Sequence, residues 1–268
     1  MDQVSPSDDL THFVALQGPD QVPVRIDAGR RKPVLLGEKI FVPGGDISNN
    51  APSDILEVYD PRKDEWETKA PLPIAISRYA LAAHEGQMYL FGGWDGTTVS
   101  NKVYRYDPDT NEWHEVSPMP TARMYASAIE ENGKIYLFGG SDGEKDLDTN
   151  ESYNPSRDEG DENPWQKEVP SPVSISGYTA IKLSNMIALI GRKSLTSKSL
   201  DQFYFSPTEN SWQVVNRNLE VNDTINGSSC VILNGKIFII GGKFDQVPID
   251  NFSSYQAIYT ILLPLTIN

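Results

Sequence analysis

The strongest constraint on this chain is a hydrophobic run that ends in glycine and recurs along its length. "KIFVPGG" (39–45), "QMYLFGG" (87–93), "KIYLFGG" (134–140) and "KIFIIGG" (236–242) carry the pair, and "MIALIG" (186–191) keeps the first glycine. The leading glycines are Gly44, Gly92, Gly139, Gly191 and Gly241, at intervals of 48, 47, 52 and 50 residues. Such a period predicts one supersecondary unit stacked repeatedly on itself. The pairs Gly44-Gly45, Gly92-Gly93, Gly139-Gly140 and Gly241-Gly242 are not phosphate loops, because none is followed by Lys-Ser or Lys-Thr and a helix. They read as structural, at strand ends where neighbouring sheets leave no room for a Cβ.

A second signal follows the first. Tyr59 precedes Trp66, Tyr106 precedes Trp113 and Phe205 precedes Trp212 by seven positions, while Tyr153 and Trp165 stand further apart. Asp, Pro, Asn and Thr fill the interval, which is turn chemistry between two strands. Each unit therefore reads as strand, short turn, strand ending in glycine, longer loop, strand, turn, strand. Small side chains in "YALAA" (79–83), "YASAI" (125–129) and "GSSCV" (227–231) suit strands that converge on an axis. Four of the five tryptophans, Trp66, Trp113, Trp165 and Trp212, are expected between neighbouring sheets where the wheel widens. Four antiparallel strands bury both faces only when copies are arranged radially.

These marks, with Pro-rich exits such as "KAPLP" (69–73) and "VSPMP" (116–120), resemble the kelch repeat family. Three copies are strong, at 39–73, 87–120 and 134–172, and two are degraded. The resemblance implies an all-β, kelch-type β-propeller whose units are four-stranded blades with the first strand innermost. Counting gives five blades, approximately 30–72, 73–120, 121–172, 173–219 and 220–268, with six as the alternative. The fourth unit departs from the pattern at Arg192 and Phe205, and the fifth has no tryptophan. Closure is expected from the N-terminal strand "HFVALQ" at 12–17 lent to the last blade. Residues 1–11 are read as a flexible N-terminus and 12–268 as a single domain.

Composition narrows the partners. Lys plus Arg number 23 against 37 Asp plus Glu, a net charge of −14, which repels nucleic acid and anionic membranes. A single cysteine, Cys230, excludes an intrachain disulfide and reads as a buried, inert thiol. The N-terminus lacks the features of a secretory signal, so a cytoplasmic monomer is expected; a processed fragment would instead be secreted or extracellular. The apolar end "ILLPLTIN" is too short to span a membrane. His12, His84 and His114 have no ligand spacing, so neither a metal nor another cofactor is expected. The acidic run 141–165 has Glu151 and Arg157 where a calcium loop needs Gly and Glu, and reads as a solvated loop. Its turn at 154–164 is longer than elsewhere and suits a blade-specific contact.

Function is sought where polar residues lead into the innermost strands. Arg78 and Tyr79, Arg123 and Tyr125, Ser176 and Tyr178, and Asn226 and Ser228 follow the Pro-containing links, with Arg30 and Arg31 in "AGRRKP". All are expected at one mouth of the central channel. The resemblance implies that arginines and aromatics at this repeated position line a peptide-binding face. Arg78, Tyr79, Arg123, Tyr125, Tyr178 and Asn226 are the expected binding residues, and the guanidinium groups suit an acidic protein or peptide. The competing account is that the arginines only bridge blades. Two other functions stand behind the binding module: a sugar mutarotase or lyase using His84, Glu130 and Glu131 with the arginines, and a structural or extracellular adhesion module.

Overall fold

The structure is a computed structural model that describes residues 12–14, 24–26, 32–47, 51–158, 162–183, 185–191 and 199–214, and the strands 219–220, 229–233, 236–240, 243–244, 247–248 and 252–255. Four sheets hold four consecutive antiparallel strands each. The first contains Val34–Leu36, Lys39–Pro43, Leu56–Asp60 and Glu65–Lys69. The second contains Ala80–His84, Gln87–Trp94, Val99–Asp107 and Glu112–Val116. Ser127–Glu131, Lys134–Phe138, Asn150–Tyr153 and Trp165–Glu168 form the third. Thr179–Leu183, Met186–Gly191, Ser199–Ser206 and Ser211–Val214 form the fourth, with Leu219–Glu220 added beside Ser199–Ser206. Ser229–Leu233, Lys236–Ile240 and Phe252–Tyr255 belong to a fifth. The only helical element among the described residues is one turn, Pro155–Asp158, so no described helix is long and apolar enough to cross a membrane.

The first strands of successive sheets lie against one another and the later strands fan outward, as blades around an axis. This arrangement explains the unbroken hydrophobic second strands, because both faces of a blade are covered. Side chains alternate along the strand. Met88 and Leu90 pack with Phe41, Leu56 and Val58 of the preceding blade, whereas Tyr89 and Phe91 pack with Ile135, Leu137 and Tyr153 of the next. A third cluster joins Tyr136 and Phe138 to Ile187, Leu189 and Phe205.

The glycines sit where the blades meet. A Cβ on Gly139, whose φ is +56°, would overlap the carbonyl oxygen of Ile175 in the next blade. That crowding, not an anion, is the reason for the residue. Gly191 is retained in the degraded fourth unit because a Cβ there would strike the ring of Tyr178. Gly241, Gly242 and Arg192 lie outside the described residues.

The aromatic and the tryptophan of each unit are register partners across the two outer strands: Tyr59 with Trp66, Tyr106 with Trp113, Tyr153 with Trp165 and Phe205 with Trp212. Their ring centroids are 4.9–5.1 Å apart. Trp113, Trp165 and Trp212 are partly buried and donate Nε1–H to the carbonyls of Ala70, Ser117 and Val169 in the preceding blade. Trp66 is 45% exposed, so the expectation of a buried interblade residue is corrected there. On the N-terminal side, His12–Val14 pairs with Val24–Ile26 and comes near Lys236–Ile240 of the fifth sheet. No described pairing joins it to that sheet, and residues 15–17 of the expected closing strand lie outside the described residues.

Candidate functional site

The first strands of blades two to four all begin at the same end of the axis, so the segments leading into them gather at one mouth. Each segment is fixed by backbone bonds to the blade before it. The carbonyls of Ile76, Arg123 and Ile175 accept from the N–H groups of Gly45, Gly93 and Gly140 at 2.8–2.9 Å. Two residues later the backbone turns left-handed, at Arg78 (φ +58°), Tyr125 (φ +57°) and Gly177 (φ +70°). These turns are themselves linked around the mouth: Tyr125 N–H donates to Arg78 O at 2.7 Å, and Gly177 N–H to Tyr125 O at 2.9 Å.

This geometry corrects the equivalence expected from sequence. Arg78 corresponds to Tyr125 and Gly177, each fourteen positions before its blade's first glycine, whereas Arg123 corresponds to Ile76 and Ile175. Arg123 is fully buried. Its guanidinium donates to the carbonyls of Gly139 (2.9 Å) and Thr149 (2.8 Å) and to Glu151 Oε2 (2.6 Å). Burial lowers its pKa and Glu151 opposes the shift. It braces the end of the second strand of the third blade to the start of the third strand, and is not a rim residue. Tyr79 and Tyr178 are likewise buried, and Tyr79 donates its hydroxyl to Pro43 O. Asn226, Arg30, Arg31 and Ser228 lie outside the described residues.

Arg78 and Tyr125 remain at the mouth, together with two residues that sequence reasoning missed. The Arg78 guanidinium lies 4.4 Å from the Trp94 ring and 5.7 Å from the Tyr125 ring. Its Nε is 3.6 Å from Asp46 Oδ2. Tyr125 is 38% exposed, and burial of the rest of its phenol raises the pKa. Trp94 and Asp46 each stand two residues after the first glycine of their unit, a position that the hydrophobic signature does not reach. An arginine and a tyrosine held at positive φ, where glycine serves in the next blade, carry a conformational cost of about 1 kcal/mol each. The side chains must supply something in return.

The loop after Trp94 is tied together by its first side chain. The Asp95 carboxylate accepts from the N–H groups of Thr97 (2.8 Å) and Thr98 (2.7 Å) and from both threonine hydroxyls, which holds its pKa far below the usual carboxylate range. Asp142 repeats the motif with the N–H groups of Glu144 and Lys145, so this acidic stretch orders its own loop. Lys32 reaches inward from the first blade and donates Nζ–H to Ala126 O at 3.2 Å; burial pulls its pKa down to about 8.

The acid–base candidates are elsewhere. His84 and Glu131 end the first strands of their blades, roughly 13 Å along the axis from the mouth at strand rise. Glu131 pairs with Lys182 at 2.7 Å, and Glu130 accepts from Gly133 N–H. Among the described residues no group of three or more His, Cys, Asp or Glu is placed to hold a metal. On the outer side, the lengthened turn of the third blade borders a cleft of about 450 Å³ lined by Tyr89, Arg105, His114, Tyr153 and Asp158 among others. Asp158 is occupied there by the Tyr153 hydroxyl and the Ser117 N–H and hydroxyl.

A family model described as the KLHDC2/KLHL20/DRC7 Kelch-repeats domain matches residues 32–242. Alpha-scruin of Limulus polyphemus is 39% identical over 59 residues, 22% of this chain and 6% of that protein. Kelch-like protein 6 of Homo sapiens is 34% identical over 70 residues, 26% of this chain and 11% of that protein. The matched segments are thus a small part of these relatives' length. The solved structure titled "Structure of YjhT" superposes with a TM-score of 0.69 at 15% identity, covering 89% of this chain and 86% of that one. At that identity the likeness speaks for the fold alone.

Proposed function

Because this chain belongs to the kelch-repeat family and folds as a kelch-type β-propeller, we propose that it is a protein-interaction module that uses the mouth carrying Arg78, Trp94 and Tyr125 to grip an acidic peptide segment. The observation that carries this reading is the Arg78 guanidinium, which lies over the Trp94 and Tyr125 rings at a left-handed backbone position. Flanking rings fix a guanidinium and shed its water, so a carboxylate meets it with little further ordering. Tyr125 adds exposed amphipathic area of the kind that anchors interfaces. Asp46 partly neutralises Arg78 in the unbound protein and limits how tightly an acid binds. Kelch-like relatives support interaction as the general role, and the acidic partner is argued from the mouth chemistry.

The test is fluorescence anisotropy with a labelled hexaglutamate peptide and its hexaglutamine counterpart. The glutamate peptide should bind at least tenfold more tightly, a difference of about 1.4 kcal/mol. Arg78→Gly, a change whose backbone Gly177 already adopts, should remove that preference without altering circular dichroism. Equal binding of the two peptides, or an unchanged preference in the variant, sinks the proposal.

A further inference from the structure

The mouth holds a second cation besides Arg78. Lys32 stands two residues before Val34–Leu36, the first strand of the first blade. That strand starts at the mouth, because its antiparallel neighbour Lys39–Pro43 ends there, next to Gly44 and Gly45. Lys32 Nζ donates to the carbonyl of Ala126 at 3.2 Å, the residue after the left-handed turn at Tyr125. A bond from the first blade to the third bypasses the second, and on a wheel the short way between them runs inside the inner strands. The ammonium is thus fixed beside the turns that carry Arg78 and Tyr125.

An ammonium offers three donors. Among the described residues Ala126 O takes one of them and no carboxylate faces the amine, so burial is uncompensated and brings its pKa down to about 8. The carboxylates of the mouth are committed elsewhere. Asp46 lies 3.6 Å from Arg78, and Asp95 and Asp142 each take the N–H groups of their own loops. Two cations therefore share one facing carboxylate, a local surplus of positive charge in a protein whose net charge is −14. A buried charge without a partner is costly, and the carboxylate of a ligand offsets that cost.

We infer that Lys32 is a second anion-binding point of this mouth, so that the segment gripped there carries two carboxylates, one on the Arg78 guanidinium and the other on the Lys32 ammonium. The inference narrows the ligand class and rests on the function proposed above. Lys32 keeps part of its surface exposed, so the residue is not closed off from a ligand. The two points differ in kind: a guanidinium is a planar fork that sets the direction of a carboxylate, whereas an ammonium is a point charge that accepts one in many orientations. A carboxylate on Lys32 favours its protonated form, so ligand and proton each promote the binding of the other.

The test is the affinity of labelled hexaglutamate, by fluorescence anisotropy, at pH 7 and pH 9. Lys32 is mostly protonated at the first and mostly neutral at the second. The other groups at the mouth are Arg78, Asp46, Asp95 and Tyr125. Carboxylates and guanidinium groups do not titrate between these values, and burial moves the Tyr125 phenol upward, away from them. Affinity should therefore fall about tenfold from pH 7 to pH 9. Lys32→Met should bind about tenfold more weakly at pH 7 and show no change with pH, yet still prefer hexaglutamate to hexaglutamine through Arg78. Lys32→Arg, which keeps the charge without titrating in this range, should bind equally at both values and gives the answer should the methionine variant fail to fold. Affinity indifferent to pH in the unaltered protein, a fall with pH that persists in either variant, or Lys32→Met binding as the unaltered protein does at pH 7 overturns this inference and leaves the Arg78 reading standing. No preference for glutamate in the unaltered protein overturns both.

Discussion

At the residue scale, two arginines that look alike in sequence do different work. "ISRYA" and "TARMYA" both read as arginine near tyrosine, yet Arg78 faces the mouth and Arg123 is buried with its charge met by Glu151. Removing one partner of a buried pair leaves the other charge stranded, so Arg123→Met should cost about 3–5 kcal/mol in urea unfolding. Restoring stability by the added change Glu151→Leu would confirm that the loss came from the stranded carboxylate. The buried tyrosines predict an alkaline limit. A hydrogen bond to Asp64 raises Tyr59 to about 12, and burial raises Tyr106 and Tyr136 to about 12. Unfolded tyrosines ionise near pH 10, so between pH 10 and 12 the unfolded state binds fewer protons. Stability is therefore complete below pH 10 and declines through that window. Tyr59→Phe, a residue already present at the equivalent Phe205, should reduce the drop in urea midpoint between pH 9 and pH 11; an identical drop would remove Tyr59 as a source.

At the element scale, the outer pair of strands is what fastens one blade to the next. Trp113 contributes a partly buried ring tilted against Tyr106 and a hydrogen bond to Ala70, while Asn111 takes the N–H of the same residue. Trp113→Ala should cost about 2–4 kcal/mol, below the full range for a wholly buried tryptophan because part of the ring is in water. Trp113→Phe should cost about 1 kcal/mol, the worth of one hydrogen bond. Equal losses for the two variants, measured by denaturant unfolding, would mean that the ring's packing contributes nothing. The lengthened turn of the third blade preserves the same fastening: Pro155–Asp158 makes one helical turn that carries Asp158 to Ser117. This is why the interval from Tyr153 to Trp165 grows without disturbing their register.

For the whole molecule, charge sets the conditions under which an acidic partner is met. A net charge of −14 opposes the approach of an anion at distances set by the Debye length, about 30 Å at 0.01 M salt and 8 Å at 0.15 M. The mouth contacts act within a few ångströms and are screened far less. Association of the hexaglutamate probe in stopped flow should therefore speed up as salt rises over that range, with dissociation little changed. Association that slows with salt would show instead that a local positive field steers the peptide.

The repeat period, the strand order within each blade and the reason for the glycines were legible in the sequence because they depend on local pattern. A strand buried on both faces must read as an unbroken apolar run, and a blade junction without room for a Cβ must read as glycine. The candidate site was half legible. Arg78 and Tyr125 were found as rim residues, but Arg123, Tyr79 and Tyr178 were placed there too, and Trp94 and Asp46 were missed. Which residues share a ring position depends on the bonds from Gly45, Gly93 and Gly140 to the carbonyls of Ile76, Arg123 and Ile175 in the next blade. Those bonds fix register between segments distant along the chain. Two residues of slip in that register separate a buried brace from a side chain at the mouth, and only the packing of blade against blade decides between them.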